Sequence, residues 1–293
     1  MTDPSNPTSA RAVSVAVAAC QVAPVLGDPQ ANRHIVANAV DEAAAAGARV
    51  VVLPELVSSG YVFADRAEAA RSAEPVDGPT LQMWCGLART HHLVLVGGFC
   101  ELGDGDALHN SAAVVDHTGV RAVYRKTHLW DRERLIFTPG DAPPPVVDTE
   151  IGRISTVICY DLEFPEWVRL PALAGAQLLA APVNWPAYPR RDDQRPLEVV
   201  RVQADASVNR MAVIACDRAG VERDVDWVGG SAVIDADGWV LAGGNSTTEP
   251  HTVTAEVDLD LALDKRVGGL SDIHADRRPE LYEGVTHRVS GAR

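Results

Sequence analysis

Three side chains of different chemistry stand at places in this chain where a catalytic group could work. Cys159 lies in Ile158-Cys159-Tyr160-Asp161-Leu162-Glu163-Phe164-Pro165-Glu166, directly after an apolar run. A thiol at a strand-to-helix turn can open onto a cleft and have its pKa lowered, which suits it to nucleophilic attack. Position alone does not decide, because free cysteine is also a common small core residue. Glu55, in Leu53-Pro54-Glu55-Leu56, follows a second apolar run. Desolvation there would raise a carboxylate towards the range a general base needs, whereas a plain surface loop would leave it unchanged. Lys126, in Tyr124-Arg125-Lys126-Thr127-His128-Leu129-Trp130, is a cation among partly apolar neighbours. It could hold a developing oxyanion, or it could be one more solvated surface lysine.

The elements that would position these groups read as an α/β alternation. Residues 13–19 form a strand pattern, Asp28-Pro29 supplies an N-cap and first-turn proline for a helix to about Ala46, and Gly47 ends it. Residues 49–53 are a continuous apolar strand closed by Pro54, which sets Glu55 just past a strand end, a common address for catalytic groups in α/β folds. Asp77-Gly78-Pro79 opens a helix to about His91, and residues 93–96 form a strand ahead of Gly97-Gly98. Residues 111–116 and 120–124 flank His117-Thr118-Gly119 as a hairpin that delivers Lys126 at its exit. After the turn-rich residues 138–145, residues 154–158 read as a buried strand with Cys159 at its carboxyl end and a helix at 164–173 behind it. Further strands fall at 178–181, 212–216, 232–235 and 252–257, with a long helix from about Asp192 to Arg210. Without an internal repeat or composition break, residues 11–270 read as one domain, after a polar leader over 1–10. The tail at 271–293, with Asp272, His274, Asp276, Arg277 and Arg278, is read as either a partner-binding arm at a dimer interface or a frayed end.

Taken in the order Glu, Lys, Cys, the segments Leu53-Pro54-Glu55, Tyr124-Arg125-Lys126-Thr127-His128-Leu129 and Ile158-Cys159-Tyr160-Asp161 closely resemble the three signature segments of the nitrilase superfamily of carbon–nitrogen hydrolases. Ser59-Gly60-Tyr61, His109-Asn110-Ser111-Ala112 and Phe137-Thr138-Pro139-Gly140 extend the resemblance, which covers residues 12 to about 258. It implies a four-layer α-β-β-α sandwich, a choice the alternation of elements could not make over a doubly wound sheet. It also implies pairing of copies into a homodimer or larger homo-oligomer. By the same resemblance, Glu55 takes the proton of Cys159, Lys126 and the N–H of Tyr160 hold the oxyanion, and a thioester is hydrolysed without any cofactor. Glu133 matches a second glutamate that orients Lys126, although its neighbours Asp131, Arg132 and Arg134 also fit a solvated charge run.

For the substrate, Tyr160-Asp161 after the cysteine looks like the amidase branches, where nitrilases proper have Trp-Glu. Amidases acting on dicarboxylate monoamides carry an arginine four residues after the cysteine, and here Glu163 occupies that place. If Glu163 faces the cleft it repels a carboxylate, favouring a small neutral or amine-bearing aliphatic amide. Asn184-Trp185-Pro186 resembles the loop that walls the acyl pocket, and Tyr61 is a further candidate contact. The alternatives are an omega-amidase, an N-carbamoyl amine hydrolase, or a non-catalytic binding subunit of the same fold.

Composition closes other possibilities. The net charge of −14 disfavours nonspecific attraction to nucleic acid or anionic lipid, and no run approaches the ~20 apolar residues of a membrane span. The polar start from Met1 to Arg11 lacks a secretory pattern, and five cysteines without CxxC spacing fit a reducing cytoplasm. The histidines show no ligand spacing such as HExxH, so the expectation is no metal.

Overall fold

The computed structural model describes residues 14–189 and 194–287. The expected leader at 1–10, the first residues of the helix expected from Asp192, and the end of the tail fall outside the described residues. The strands are β1 (Ser14–Gln21), β2 (Val50–Val52), β3 (Val94–Leu102), β4 (Leu108–Asp116), β5 (Gly119–Arg125), β6 (Val146–Asp148), β7 (Arg153–Thr156), β8 (Leu178–Pro182), β9 (Ala212–Cys216), β10 (Val221–Glu222), β11 (Val225–Asp226), β12 (Ala232–Ile234), β13 (Val240–Gly243), β14 (His251–Asp258), β15 (Arg266–Gly268) and β16 (Ser271–Asp272). The helices are α1 (Pro29–Ala45), α2 (Arg66–Ala70), α3 (Pro79–His91), α4 (Pro165–Leu173) and α5 (Leu197–Asn209).

Two six-stranded sheets form, in the orders β14-β1-β2-β3-β4-β5 and β13-β12-β9-β8-β7-β6. Strand periodicity sorts their side chains into layers. Val17 and Ala19 of β1 join Val52, Val96, Ile154, Ala180 and Ile214 in an apolar layer drawn from both sheets. Ala18 and Cys20, one residue out of phase, pack with Val36 and Val40 of α1 and Trp84 of α3. On the far side, Leu179, Val213 and Ile234 pack against Val168 of α4 and Val202 of α5. These three apolar layers lie between four layers of secondary structure, the α-β-β-α sandwich that the resemblance implies. Among the described residues no helix is long and apolar enough to cross a membrane.

Local chemistry sets the boundaries. Asp28 caps α1 by accepting from the Ala31 N–H at 2.9 Å, and Pro29 occupies the first turn. The strand expected over 154–158 is shorter, ending at Thr156, because Asp161 folds back to accept from the Ile158 N–H at 3.0 Å and closes a tight turn over Cys159–Glu163. The helix expected from about Asp192 begins at Leu197, behind Pro196, and ends at Arg210 in the left-handed region. Both hairpin strands are longer than expected, so His109 and Asn110 lie inside β4 and are not in its approach. The start of the tail is anchored: Ser271 pairs with Gly268, and Lys265 Nζ donates to the Asn209 and Arg210 carbonyls.

Candidate active site

The strands β1, β2 and β3 run parallel, as do β7, β8 and β9, so their carboxyl ends collect groups from both sheets at one end of the sandwich. Glu55 follows β2 there. Its backbone passes so close to Gly98 that a Cβ at that position would lie 2.3 Å from Leu56 N and 2.6 Å from Glu55 Cα, which explains the glycine. Lys126 leaves β5, and its amide N–H donates to the Asn110 carbonyl at 2.8 Å. Cys159 opens the turn after β7 with φ 46°, and Leu56, immediately after Glu55, has φ 47°. Left-handed geometry at two non-glycine residues is strain of roughly 1–3 kcal/mol each, held in place by the surrounding packing.

Lys126 is the centre of charge. Its Nζ lies 2.7 Å from Glu55 Oε1 and 2.7 Å from Glu133 Oε1, and all three side chains are buried. Asn110 Nδ2 donates to Glu55 Oε1 at 2.7 Å, and Tyr61 Oη donates to Glu133 Oε1 at 2.6 Å. Glu133 Oε2 accepts from the Trp130 N–H at 2.9 Å. Glu133 is thus enclosed while Asp131, Arg132 and Arg134 point outwards, and the solvated charge run describes only its neighbours.

Burial raises the Glu55 carboxyl above the ordinary carboxylate range; Lys126 pulls it back and Glu133 pushes it further. Lys126 is held above its usual range, because the two carboxylates outweigh its desolvation. Glu55 Oε2 is buried and has no hydrogen-bond partner among the described residues, so one oxygen of this carboxylate is uncommitted.

The Cys159 thiol departs from expectation. Burial and the Glu55 charge push its pKa well above the ordinary value, with Lys126 opposing, so the lowered pKa anticipated for a strand-to-helix turn is not found. The resting sulfur is a neutral thiol, donating to the Asn184 carbonyl at 3.6 Å. Asn184 also ties back to Glu55, its Nδ2 donating to the Glu55 carbonyl at 2.9 Å. Asp161 locks the turn of Cys159 to the exit of β5, accepting from Tyr124 Oη at 2.8 Å and from the His128 N–H at 3.1 Å.

A cavity of about 80 Å³ opens over the sulfur, lined by Tyr61, Trp130, Tyr160, Glu163, Asn184, Trp185 and Tyr188 among others. Trp185 is both core and wall: it is 4% exposed, packs with Val199, and lines the cavity. Tyr61, Trp130, Pro186 and Tyr188 also border a larger cavity of about 380 Å³ that includes Asp131, Asp224 and Asp226. Glu163 does face the cleft, as the sequence argument required, but Arg201 of α5 lies 2.9 Å away and neutralises much of its field. The condition set by the sequence is met, and Arg201 shares the charge that Glu163 presents there.

Sequence reasoning missed Asn110, Arg201 and a buried pair that holds Tyr61. Glu222 Oε1 accepts from the Tyr61 N–H at 2.8 Å and from the Val62 N–H at 2.5 Å, while its Oε2 accepts from Arg218 at 2.7 Å. Arg218 lies over the Trp227 ring, which packs edge-on against Tyr61. The quoted stretch around Asn110 was the one available signal, while Arg201 and Glu222 carried none.

A thiol, two carboxylates and an ammonium thus gather at one set of strand ends of this sandwich. Residues 16–266 match the carbon-nitrogen hydrolase family. A nitrilase of Pyrococcus abyssi is 37% identical over 271 residues, covering 92% of this chain and 99% of that protein. The crystal structure of an amidase from Nesterenkonia sp. superposes with a TM-score of 0.80 at 28% identity, covering 94% of this chain and 97% of that one. A structure of the Nesterenkonia sp. AN1 amidase with the acetamide moiety of fluoroacetamide added covalently at its active-site cysteine superposes at 0.76, with 26% identity over 94% of this chain and 97% of that one. The chain belongs to the carbon-nitrogen hydrolase family, in the amidase branch of the nitrilase superfamily, and is an amide-hydrolysing enzyme.

Proposed function

We propose that the enzyme hydrolyses a small aliphatic amide, neutral or amine-bearing, to its carboxylic acid and ammonia through a thioester on Cys159. The observation that carries this reading is the division of labour within Glu55: Lys126 and Asn110 occupy Oε1, and Oε2 is left to take a proton. Because Cys159 rests as a thiol, the proton moves to Glu55 as the carbon–sulfur bond forms, and no thiolate accumulates. Lys126 and the Tyr160 N–H, at the second position of the Cys159–Glu163 turn and ahead of its first internal hydrogen bond, receive the oxyanion. Glu133 orients Lys126.

Collapse of the tetrahedral centre breaks the carbon–nitrogen bond, and Glu55 returns its proton so that ammonia leaves. Glu55 then deprotonates a water that attacks the thioester, the carbon–sulfur bond breaks, and the acid departs with the thiol restored. No cofactor enters this sequence.

The cavity directly over Cys159, about 80 Å³, suits a slender aliphatic group at the reacting carbonyl, and the adjoining cavity of about 380 Å³ leaves room for its far end. Asp131, Asp224 and Asp226 outnumber Arg132 around the adjoining cavity, a balance that suits an amino group on the acyl chain. The five free thiols support a cytoplasmic setting, and pairing of two copies belongs to the same reading. The test is ammonia release from propionamide, 5-aminopentanamide, a 2-oxo dicarboxylate monoamide, an N-carbamoyl amine and a simple nitrile, with wild type and Cys159→Ala. Turnover of the first two, lost in the variant, is the expected result; preference for the dicarboxylate monoamide overturns the substrate class.

A further inference from the structure

At the opposite end of the sandwich three turns bring together His92, His117 and Glu150. His92 follows α3 and leads into β3, His117 sits in the β4–β5 turn, and Glu150 sits in the β6–β7 turn. They therefore stand before the amino ends of β3, β5 and β7, whereas Lys126 and Cys159 lie beyond the carboxyl ends of β5 and β7. His92 Nε2 lies 3.6 Å from Glu150 Oε2, and His117 Nε2 lies 3.7 Å from Glu150 Oε1. One ligand atom from each residue falls within 4.8 Å of the others, and the two imidazole rings pack at 4.6 Å between centroids.

These separations are too long for hydrogen bonds, which span about 2.7–3.2 Å. Each approaches the edge of a tetrahedron around zinc, where metal–ligand distances near 2.0–2.2 Å place neighbouring ligands roughly 3.3–3.6 Å apart. They end on different oxygens of Glu150, so the carboxylate must turn to offer one oxygen to the ion beside both imidazoles. Rotation of the exposed His92 and Glu150 side chains about the half-buried His117 closes the set. The backbones are already fixed. His92 is a left-handed cap whose carbonyl accepts from Arg49 Nε at 3.0 Å, so the nearby guanidinium is engaged with the backbone. Asp116 Oδ1 accepts from the Thr118 N–H at 2.8 Å beside His117, and Thr149 Oγ1 accepts from the Ile151 and Gly152 N–H groups at 3.2 Å around Glu150.

We propose that His92, His117 and Glu150 form a surface site for zinc or a similar divalent transition metal, with water as fourth ligand. The ion joins turns from both sheets, two from the first and one from the second, at the end remote from Cys159, so its role is to fasten the sandwich. The sequence offered no spacing pattern because the ligands come from three separate turns.

Zinc also binds thiols, so the test uses the full chain in a Cys159→Ala background, with equilibrium dialysis of Zn²⁺ and the visible absorption of Co²⁺ as its probe. One metal per chain, tetrahedral Co²⁺ bands, a higher Tm with Zn²⁺, and at least roughly tenfold weaker binding on adding either His117→Ala or Glu150→Gln are the expected results. Absence of stoichiometric binding, or affinity unchanged by both substitutions in chains that still fold, overturns the proposal.

Discussion

Lys126 Nζ lies 2.7 Å from Glu55 Oε1, wholly out of solvent, with Glu133 on its other side at the same distance. Burial raises the Glu55 carboxyl above the ordinary carboxylate range, Lys126 pulls it back and the Glu133 charge pushes it further. The base form of Glu55 is therefore lost as pH falls through a pKa above the usual carboxylate range. The kcat/KM of wild type should show an acid limb there, measurable from ammonia release across pH. Glu55→Gln should lose about 10²–10⁴-fold and abolish that limb.

Glu133 and Tyr61 separate positioning by charge from positioning by a single hydrogen bond. Glu133→Gln removes the second counter-charge on Lys126 and should cost about 10²-fold in kcat. Tyr61→Phe removes only the 2.6 Å contact to Glu133 and should cost about tenfold, roughly 1.4 kcal/mol. Steady-state kinetics on one amide decides, and equal losses in the two variants would contradict the ranking.

The Glu163–Arg201 pair predicts a change in selectivity with little change in rate. Arg201→Ala uncovers the Glu163 charge at the mouth of the cavity. KM should rise several-fold for an amide carrying a carboxylate and fall or hold for 5-aminopentanamide, with kcat little altered. A uniform effect on both would place Glu163 outside the substrate's field.

Arg218 and Glu222 are 1% and 6% exposed, and they support the loop that carries Tyr61. Removing one member of a buried pair strands the other's polar or charged groups, so Glu222→Leu should destabilise the fold by about 3–5 kcal/mol. Arg218→Met combined with Glu222→Leu should recover part of that loss. Urea unfolding of the wild type and the two variants measures both, and a double variant no better than the single one would contradict the pairing.

How much of this could be read without coordinates follows from where each residue lies in the chain. Glu55, Lys126 and Cys159 were legible through the three segments that resemble the family's signatures taken together; local pattern placed Glu55 and Cys159 at the ends of apolar strands and Lys126 at the exit of a hairpin, positions that a surface glutamate or lysine or a core cysteine could equally hold. The layers were legible through resemblance: strand–helix alternation does not reveal that Val17 faces a second sheet while Ala18 faces α1 and α3. Asn110 looks like any polar residue inside a strand, and its bond to Glu55 spans 55 positions. Arg201 lies on a helix face, and Glu222 ends a strand of two residues. Their roles are set by tertiary packing, which local pattern does not encode. The thiol pKa was misjudged for the same reason: a turn geometry suggested stabilisation, but burial beside Glu55 decides.

Covalent attachment of the acyl group to Cys159 is the central step of the proposed reaction. Rapid-quench intact-mass measurement of the enzyme mixed with propionamide tests it most directly. The prediction is a transient mass increase of one propionyl group, mapped to Cys159 and formed together with the first equivalent of ammonia, and absent in Cys159→Ala. Ammonia release with no adduct at any time, or full turnover by Cys159→Ala, would contradict it.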